Sequence, residues 1–301
     1  MHRFKALGDG NKNAWYVFYA GSPAAGAYGC WKRGVKETFC ERYGKLSKTE
    51  LNDVRCRWQE AERERERAEK ERHTKAHKIA TWILSHSMPV TTHAYLEHKG
   101  VNNFGNLREF RGALVLPLRD IQGELHSLQF IGIDGSKKFL TGGRIAGCFF
   151  TISDKFDGAI VISEGYATGA SIHEATGLAT LSAMNCGNLL AVVKALRERF
   201  PSREIIVAAD NDVWTDGNPG LTKASEAAKA IRAKFAVPQF KDVTAKPTDF
   251  NDMAALAGLP DRTDLHLALG YRPPNGHWAG IWQRPAFLAG AFDQFCFATK
   301  H

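Results

Sequence analysis

The chain has 301 residues, 44% of them hydrophobic and 24% charged, enough for two or three small domains with a sizeable core. No apolar run approaches the roughly 18 residues of a membrane span. The start, Met1-His2-Arg3-Phe4-Lys5, lacks a secretory apolar stretch, so a cytoplasmic protein with no membrane partner is expected. The net charge of +8 is uneven: residues 1–155 carry 26 Lys/Arg against 17 Asp/Glu, residues 156–260 ten against twelve, and residues 261–301 four against three. A basic region beside a mildly acidic one suits a polyanion that lies on the first and reacts at the second. None of the six cysteines (Cys30, Cys40, Cys56, Cys148, Cys186 and Cys296) forms a Cys-x-x-Cys pair. That excludes a disulfide framework and the usual structural zinc patterns, so no zinc is expected.

Residues 1–46 read as a small β-rich unit, with strand and turn signals at Trp15-Tyr16-Val17-Phe18-Tyr19 and Gly26-Ala27-Tyr28-Gly29-Cys30-Trp31. Trp15 and Trp31 are expected to pack into a mini-core rather than stack on bases. Residues 47–103 form a helical connector. Ser47 and Glu50 have capping-box spacing, and the run Glu60 to Arg72 is nearly all charge with opposite signs at three- and four-residue steps. Pro89 closes this stretch, and Thr91 to Val101 reads as a short helix capped by Gly100.

Residues 104–155 read as a β-rich subdomain. Leu114 to Leu118 leads to a turn at Asp120–Gly123, a strand follows to Ile133, and Asp134-Gly135-Ser136 is a hairpin signal before Lys137-Lys138-Phe139-Leu140. Residues 156–260 repeat strand and helix: strands at Ala159–Ser163, Leu178–Leu181 and Glu204–Ala209, helices at Tyr166–Thr176, Leu189–Phe200 and Leu221–Phe235, and a short final helix from Asp249. Such alternation predicts an α/β fold with parallel strands and right-handed crossovers. Residues 261–301 are rich in aromatics, Pro and Gly, and their role is unknown. No Gly-x-x-x-x-Gly-Lys-Ser/Thr occurs, so no P-loop helicase is expected.

The chemistry-bearing pattern is a carboxylate set. Glu164-Gly165 follows the strand Ile160-Val161-Ile162-Ser163, and Asp210-Asn211-Asp212 follows Ile205-Ile206-Val207-Ala208-Ala209. Asp249-Phe250-Asn251-Asp252 comes later. The first two groups sit at the carboxyl ends of buried strands, the edge where open α/β sheets bind ligands. Gathered acids repel unless a cation lies among them, and an all-oxygen set suits Mg²⁺ or Mn²⁺. Asp210 and Asp212, two apart, can point to one side. Gly165 is expected to let the backbone turn and a phosphate approach. Asn211 is expected to orient its loop, Cys186 to be a buried inert thiol beside the site, and His173 and His266 not to be ligands.

This order of motifs resembles the Toprim domain. The run Glu164-Gly165-Tyr166-Ala167-Thr168-Gly169 resembles the Glu-Gly-Tyr-Ala-Thr-Ala motif of primases of conjugative plasmids and satellite phages, departing only at its last residue. Tyr95-Leu96-Glu97-His98-Lys99-Gly100-Val101 resembles an element that precedes the DnaG-type catalytic core. The resemblance, strongest from Leu114 to Asp252, implies an α/β Toprim domain (a parallel sheet flanked by helices) after a small α+β subdomain and the N-terminal β unit. It also implies a DNA primase that makes short RNA or mixed primers on single-stranded DNA from NTPs by two-metal transfer, for a mobile element. A replicative helicase or other replication protein is a possible partner. On the same resemblance Glu164, Asp210 and Asp212 are catalytic and metal-binding, with Glu164 either a ligand or a general acid or base. Asp249 and Asp252 are further ligands, and Lys137, Lys138, Arg144 and Gly165 contact nucleotide or DNA. A Toprim nuclease and a non-catalytic single-strand-binding module are the alternatives.

Overall fold

The computed structural model describes residues 2–257, apart from 11, 21–23, 31–32, 42–46, 155–157 and 241. The expectations for Trp31, the Glu50 side chain, His266, Cys296 and the aromatic C-terminal segment lie outside the described residues. The chain divides into two compact units between Ala68 and Glu69.

The first unit holds β1 (His2–Phe4), β2 (Ala14–Tyr19), β3 (Ala25–Cys30) and β4 (Val35–Cys40), an antiparallel sheet in chain order. Trp15 lies so close to Gly29 that a Cβ there would meet its indole Cζ2 at 2.9 Å, which explains a glycine opposite a tryptophan. On the same face Tyr19 meets Trp58 of α1 (Lys48–Ser85), with ring centroids 6.1 Å apart. The unit boundary falls within α1.

In the second unit α1 ends at Ser85, before Pro89. Then come β5 (Met88–Pro89), α2 (Ala94–Lys99), β6 (Arg108–Phe110), β7 (Ala113–Arg119), β8 (Leu125–Ile131) and β9 (Lys137–Phe139). α2 stops at Gly100, whose φ of 61° is the left-handed conformation a glycine C-cap supplies. β5 to β9 form an antiparallel sheet in chain order. Ala80 and Ile83 of α1 pack on Val115, Leu125 and Leu128 of this sheet.

The remaining elements are β10 (Phe150–Ser153), β11 (Ile160–Ser163), α3 (Tyr166–Thr176), β12 (Ala179–Ser182), α4 (Leu189–Arg199), β13 (Ile205–Ala208), α5 (Pro219–Ile231), β14 (Lys234–Ala236) and α6 (Phe250–Ala257). Their sheet has the order β10-β12-β11-β13-β14. The four residues of β11, β12 and β13 are all buried, as a sheet covered on both faces requires. α4 presents Leu189, Val192, Val193 and Leu196 to one face, where α5 adds Ala224, Ala227 and Ala228. Ile172 and Ala175 of α3 and Phe250 of α6 cover the other face. Each of the Leu, Val, Ile and Phe side chains among them contributes about 1.5–3 kcal/mol on burial, and the alanines less.

Two elements differ from the sequence expectation. The helix expected to reach Phe235 stops at Ile231, with Arg232 in a left-handed cap at φ 53°. Lys234–Ala236 then pairs parallel with β13. The apolar run hid the stop because the capping residue is an arginine rather than a glycine. The sheet is also not wholly parallel, since β10 joins β12 antiparallel. One apolar cluster joins Leu114, Leu116 and Leu118 of the antiparallel sheet to Phe150, Ile152, Tyr166 and Ala170. The β subdomain and the parallel sheet therefore share a core, which fixes β9 relative to the strand ends.

Candidate active site

Glu164 and Gly165 form the turn between β11 and α3. Hydroxyls hold the turn: Ser163 Oγ donates to Gly165 O at 3.0 Å, and Ser182 Oγ donates to Glu164 O at 3.0 Å. Gly165 has φ −108°, which any residue adopts, so conformational freedom does not explain it. A Cβ there would sit 3.7 Å from Lys137 Nζ, an ordinary contact, so the turn at Gly165 lies close to β9 without packing demanding a glycine. Gly169, the one departure from the motif, is dictated by packing. A Cβ would stand 2.4 Å from Ile152 Cδ1 and 2.5 Å from Ser163 Oγ. The motif tyrosine is an anchor: Tyr166 Oη donates to Asn102 O at 3.0 Å and accepts from Phe104 N at 2.9 Å, tying α3 to the preceding loop.

Asp210 and Asp212 lie just past β13. Asn211 ties their loop to its neighbours, donating from its N to Thr248 O at 2.6 Å and accepting from Asn218 Nδ2 at 2.9 Å. The N-terminus of α5 closes on this loop, with Gly220 N donating to Asp212 Oδ2 at 3.3 Å. A Cβ at Gly220 would lie 2.8 Å from Asp210 O and 2.7 Å from Asp212 Oδ2. Sequence reasoning missed Gly220; the Asn218-Pro219-Gly220 helix start was the available signal.

Asp249 belongs to the same group, accepting from Thr168 Oγ1 at 3.1 Å and from Asp252 N at 2.8 Å. Asp252 turns away. Its Oδ2 accepts from Thr248 N at 2.8 Å, so it closes the start of α6. Asn251 and Phe250 are buried, and Asn251 Nδ2 donates to Lys99 O and Ser171 Oγ at 2.8 and 3.0 Å. Of the four residues 249–252, only Asp249 faces the other acids.

The electrostatics reflect this grouping. Burial, then the carboxylates of Glu164, Asp249 and Asp212, push the Asp210 carboxyl up to about 8, while Lys137 pulls it back. Burial, then Asp212, raise Glu164, opposed by the Cys186 backbone N–H and by Lys137. Glu164 Oε2 and Asp210 Oδ1 are both buried without a hydrogen-bond partner. Buried carboxylate oxygens lacking donors among like charges are the surroundings a divalent cation relieves, and a donor set of oxygens alone fits Mg²⁺ or Mn²⁺. Among the described residues no three His, Cys, Asp or Glu side chains converge tightly enough to hold an ion as they stand. Burial and Glu164 raise the Cys186 thiol, which suits an inert cysteine whose backbone serves the site.

The predicted basic residues separate. Lys137 acts on Glu164 and Asp210. Lys138, next along β9, is exposed and acts on Asp134. Arg144 Nη2 donates to Asp120 Oδ2 at 2.6 Å, which His126 Nε2 also meets at 2.6 Å. A further group went unforeseen: Tyr95 Oη is buried without a hydrogen-bond partner, and burial and then Asp249 push its hydroxyl up to about 12.

Residues 159–259, which carry Glu-Gly after β11 and Asp-x-Asp after the neighbouring β13, match the Toprim domain family. The chain also resembles two proteins of Escherichia coli named DNA primase TraC. One is 33% identical over 253 residues, covering 79% of this chain and 24% of that protein. The other is 39% identical over 183 residues, covering 58% and 12%. The chain thus spans about a quarter or less of the length of these relatives. Among solved structures, the primase fragment of the bacteriophage T7 primase-helicase protein aligns with 55% of this chain and 66% of that one, at TM-score 0.41 and 18% identity. No helix among the described residues is long and apolar enough to cross a membrane.

Proposed function

We propose that this chain is a DNA primase that makes short RNA or mixed primers on single-stranded DNA, in the service of a mobile element. The observation that carries the reading is the pair of partnerless buried oxygens, Glu164 Oε2 and Asp210 Oδ1, among Asp212 and Asp249 at the strand ends. The similarity to proteins named DNA primase supports it.

Glu164, Asp210, Asp212 and Asp249 would hold Mg²⁺ or Mn²⁺. Held by those residues, such ions would supply a lowered pKa for an attacking 3′-hydroxyl and charge compensation at the α-phosphate and the departing pyrophosphate. Lys137 adds a positive charge facing the same acids and is placed to meet nucleotide phosphate. Gly165 is the turn residue next to Lys137, where a nucleotide phosphate would approach. Asp249 is kept in place by Thr168 and the start of α6, and Asp212 by the Gly220 N–H at the N-terminus of α5. Asp252 works through helix capping rather than as a ligand. Lys138 is available to template backbone, whereas Arg144 is committed to Asp120. Template, NTPs and a helicase or other replication protein are the expected partners.

Incubation with single-stranded DNA, labelled NTPs and Mg²⁺ or Mn²⁺ tests the reading. Short labelled products support it. A shortened template would make the protein a nuclease, and tight binding with neither product would make it a binding module.

A further inference from the structure

Tyr95 lies in the first turn of α2 and is 3% exposed. Its ring belongs to the apolar cluster that holds Tyr166, Ala167 and Ala170 of α3. Thr168, in the same turn of α3, donates to Asp249 Oδ2 at 3.1 Å. The far end of α2 is tied to α6, with Asn251 Nδ2 donating to Lys99 O at 2.8 Å. α2 is thereby joined to the two segments that hold Asp249. The two tyrosines of this cluster differ. Tyr166 Oη is engaged on both sides, accepting from Phe104 N and donating to Asn102 O. Tyr95 Oη is buried with no hydrogen-bond partner among the described residues. A buried hydroxyl left unpaired is destabilising, and a phenylalanine would pack as well without it.

Asp249 is the acceptor within reach of this hydroxyl's influence. Burial and then the Asp249 carboxylate push the hydroxyl up to about 12, so it keeps its proton and is a donor throughout the physiological range. Each Asp249 oxygen already takes one donor, Thr168 Oγ1 on Oδ2 and Asp252 N on Oδ1. A carboxylate offers about four acceptor sites, which leaves room for a third donor as well as a cation. We propose that Tyr95 is a positioning residue of the metal site, whose hydroxyl donates to Asp249 once a divalent cation is bound and fixes that carboxylate as a ligand. The bond from phenol to ionised carboxylate is charge-assisted and therefore among the stronger kinds. The inference rests on the acids being a metal site, as proposed above, and not on primer synthesis.

The test is Tyr95→Phe in the full chain, which keeps the ring and removes the oxygen. Metal-free, the variant should melt at or above the wild-type temperature, because an unpaired buried hydroxyl is gone. Its affinity for Mn²⁺, read by electron paramagnetic resonance of the free ion without DNA or nucleotide, should fall about tenfold, the scale of a hydrogen bond to a charged group. In an Asp249→Asn background the same change should weaken Mn²⁺ binding by less than about twofold, since the carboxylate it serves is absent. A metal-free variant that melts several degrees lower would give the hydroxyl a structural role and overturn the inference. So would unchanged Mn²⁺ affinity in Tyr95→Phe, or an equal loss with and without the Asp249 carboxylate. A raised KM for NTP at unchanged Mn²⁺ affinity would overturn it too, making Tyr95 a nucleotide contact. A wild type that binds no Mn²⁺ removes the metal site and this inference together, whereas Mn²⁺ binding that depends on Tyr95 in a protein that makes no primers leaves the inference standing and removes the primase reading alone.

Discussion

Asp210 makes the protein's stability depend on pH in a direction opposite to that of an ordinary surface carboxylate. Its folded pKa of about 8 lies above the unfolded value near 4, so the folded state holds the proton more tightly. Its contribution is complete below about pH 4 and is lost as pH rises toward 8, at up to about 1.4 kcal/mol per pH unit. Glu164 acts in the same direction. The metal-free protein should therefore melt at a lower temperature at pH 8 than at pH 5, and Mn²⁺ should raise the melting point more at pH 8, where the acids are ionised. In Asp210→Asn both effects should shrink; calorimetry across pH with and without Mn²⁺ reads them. Lys137 and Lys138, alike in sequence, should differ. Lys138→Glu should weaken binding of single-stranded DNA only, while Lys137→Glu should also cut synthesis at saturating template, as separate binding and turnover measurements would reveal. The acids and the lysine pair were legible as residue types at strand ends and after a turn. Which lysine faces the acids was not, because it depends on how β9 packs beside α3.

At the scale of elements, the site relies on close approaches that only glycine permits. Gly220→Ala would drive a methyl group against the Asp210 carbonyl and the Asp212 carboxylate. The approach to backbone cannot be relieved by a rotamer change. Activity should drop by tenfold or more, with a stability loss on the order of 1–3 kcal/mol, read by turnover and chemical denaturation. A wild-type rate would show that the loop yields. Strands β11 and β13 were readable because four consecutive buried residues leave an apolar run, and α3 because Gly177 ends it. β14 was hidden because three residues, two of them exposed, carry no period. Asp252 looked like a ligand because its spacing from Asp249 is also the spacing of a helix cap, and sequence alone does not separate the two.

At the scale of the molecule, the basic excess of residues 1–155 over the mildly acidic residues 156–260 predicts electrostatic capture of a polyanion. Affinity for single-stranded DNA should fall steeply between low and physiological salt; a flat response in a salt titration would make the basic region ordinary surface. The shared core of the antiparallel sheet and the Toprim sheet places β9 beside the carboxylates, which explains how basic and acidic residues far apart in the chain act on one another. That arrangement leads to the central claim, that these acids serve primer synthesis. The direct test is template-dependent incorporation of labelled NTPs by wild type and by Asp210→Ala with Asp212→Ala, with circular dichroism of both. The wild type should give short products and the variant none, with unchanged secondary structure, since both side chains are placed for charge rather than packing. Near-normal synthesis by the variant would contradict the account.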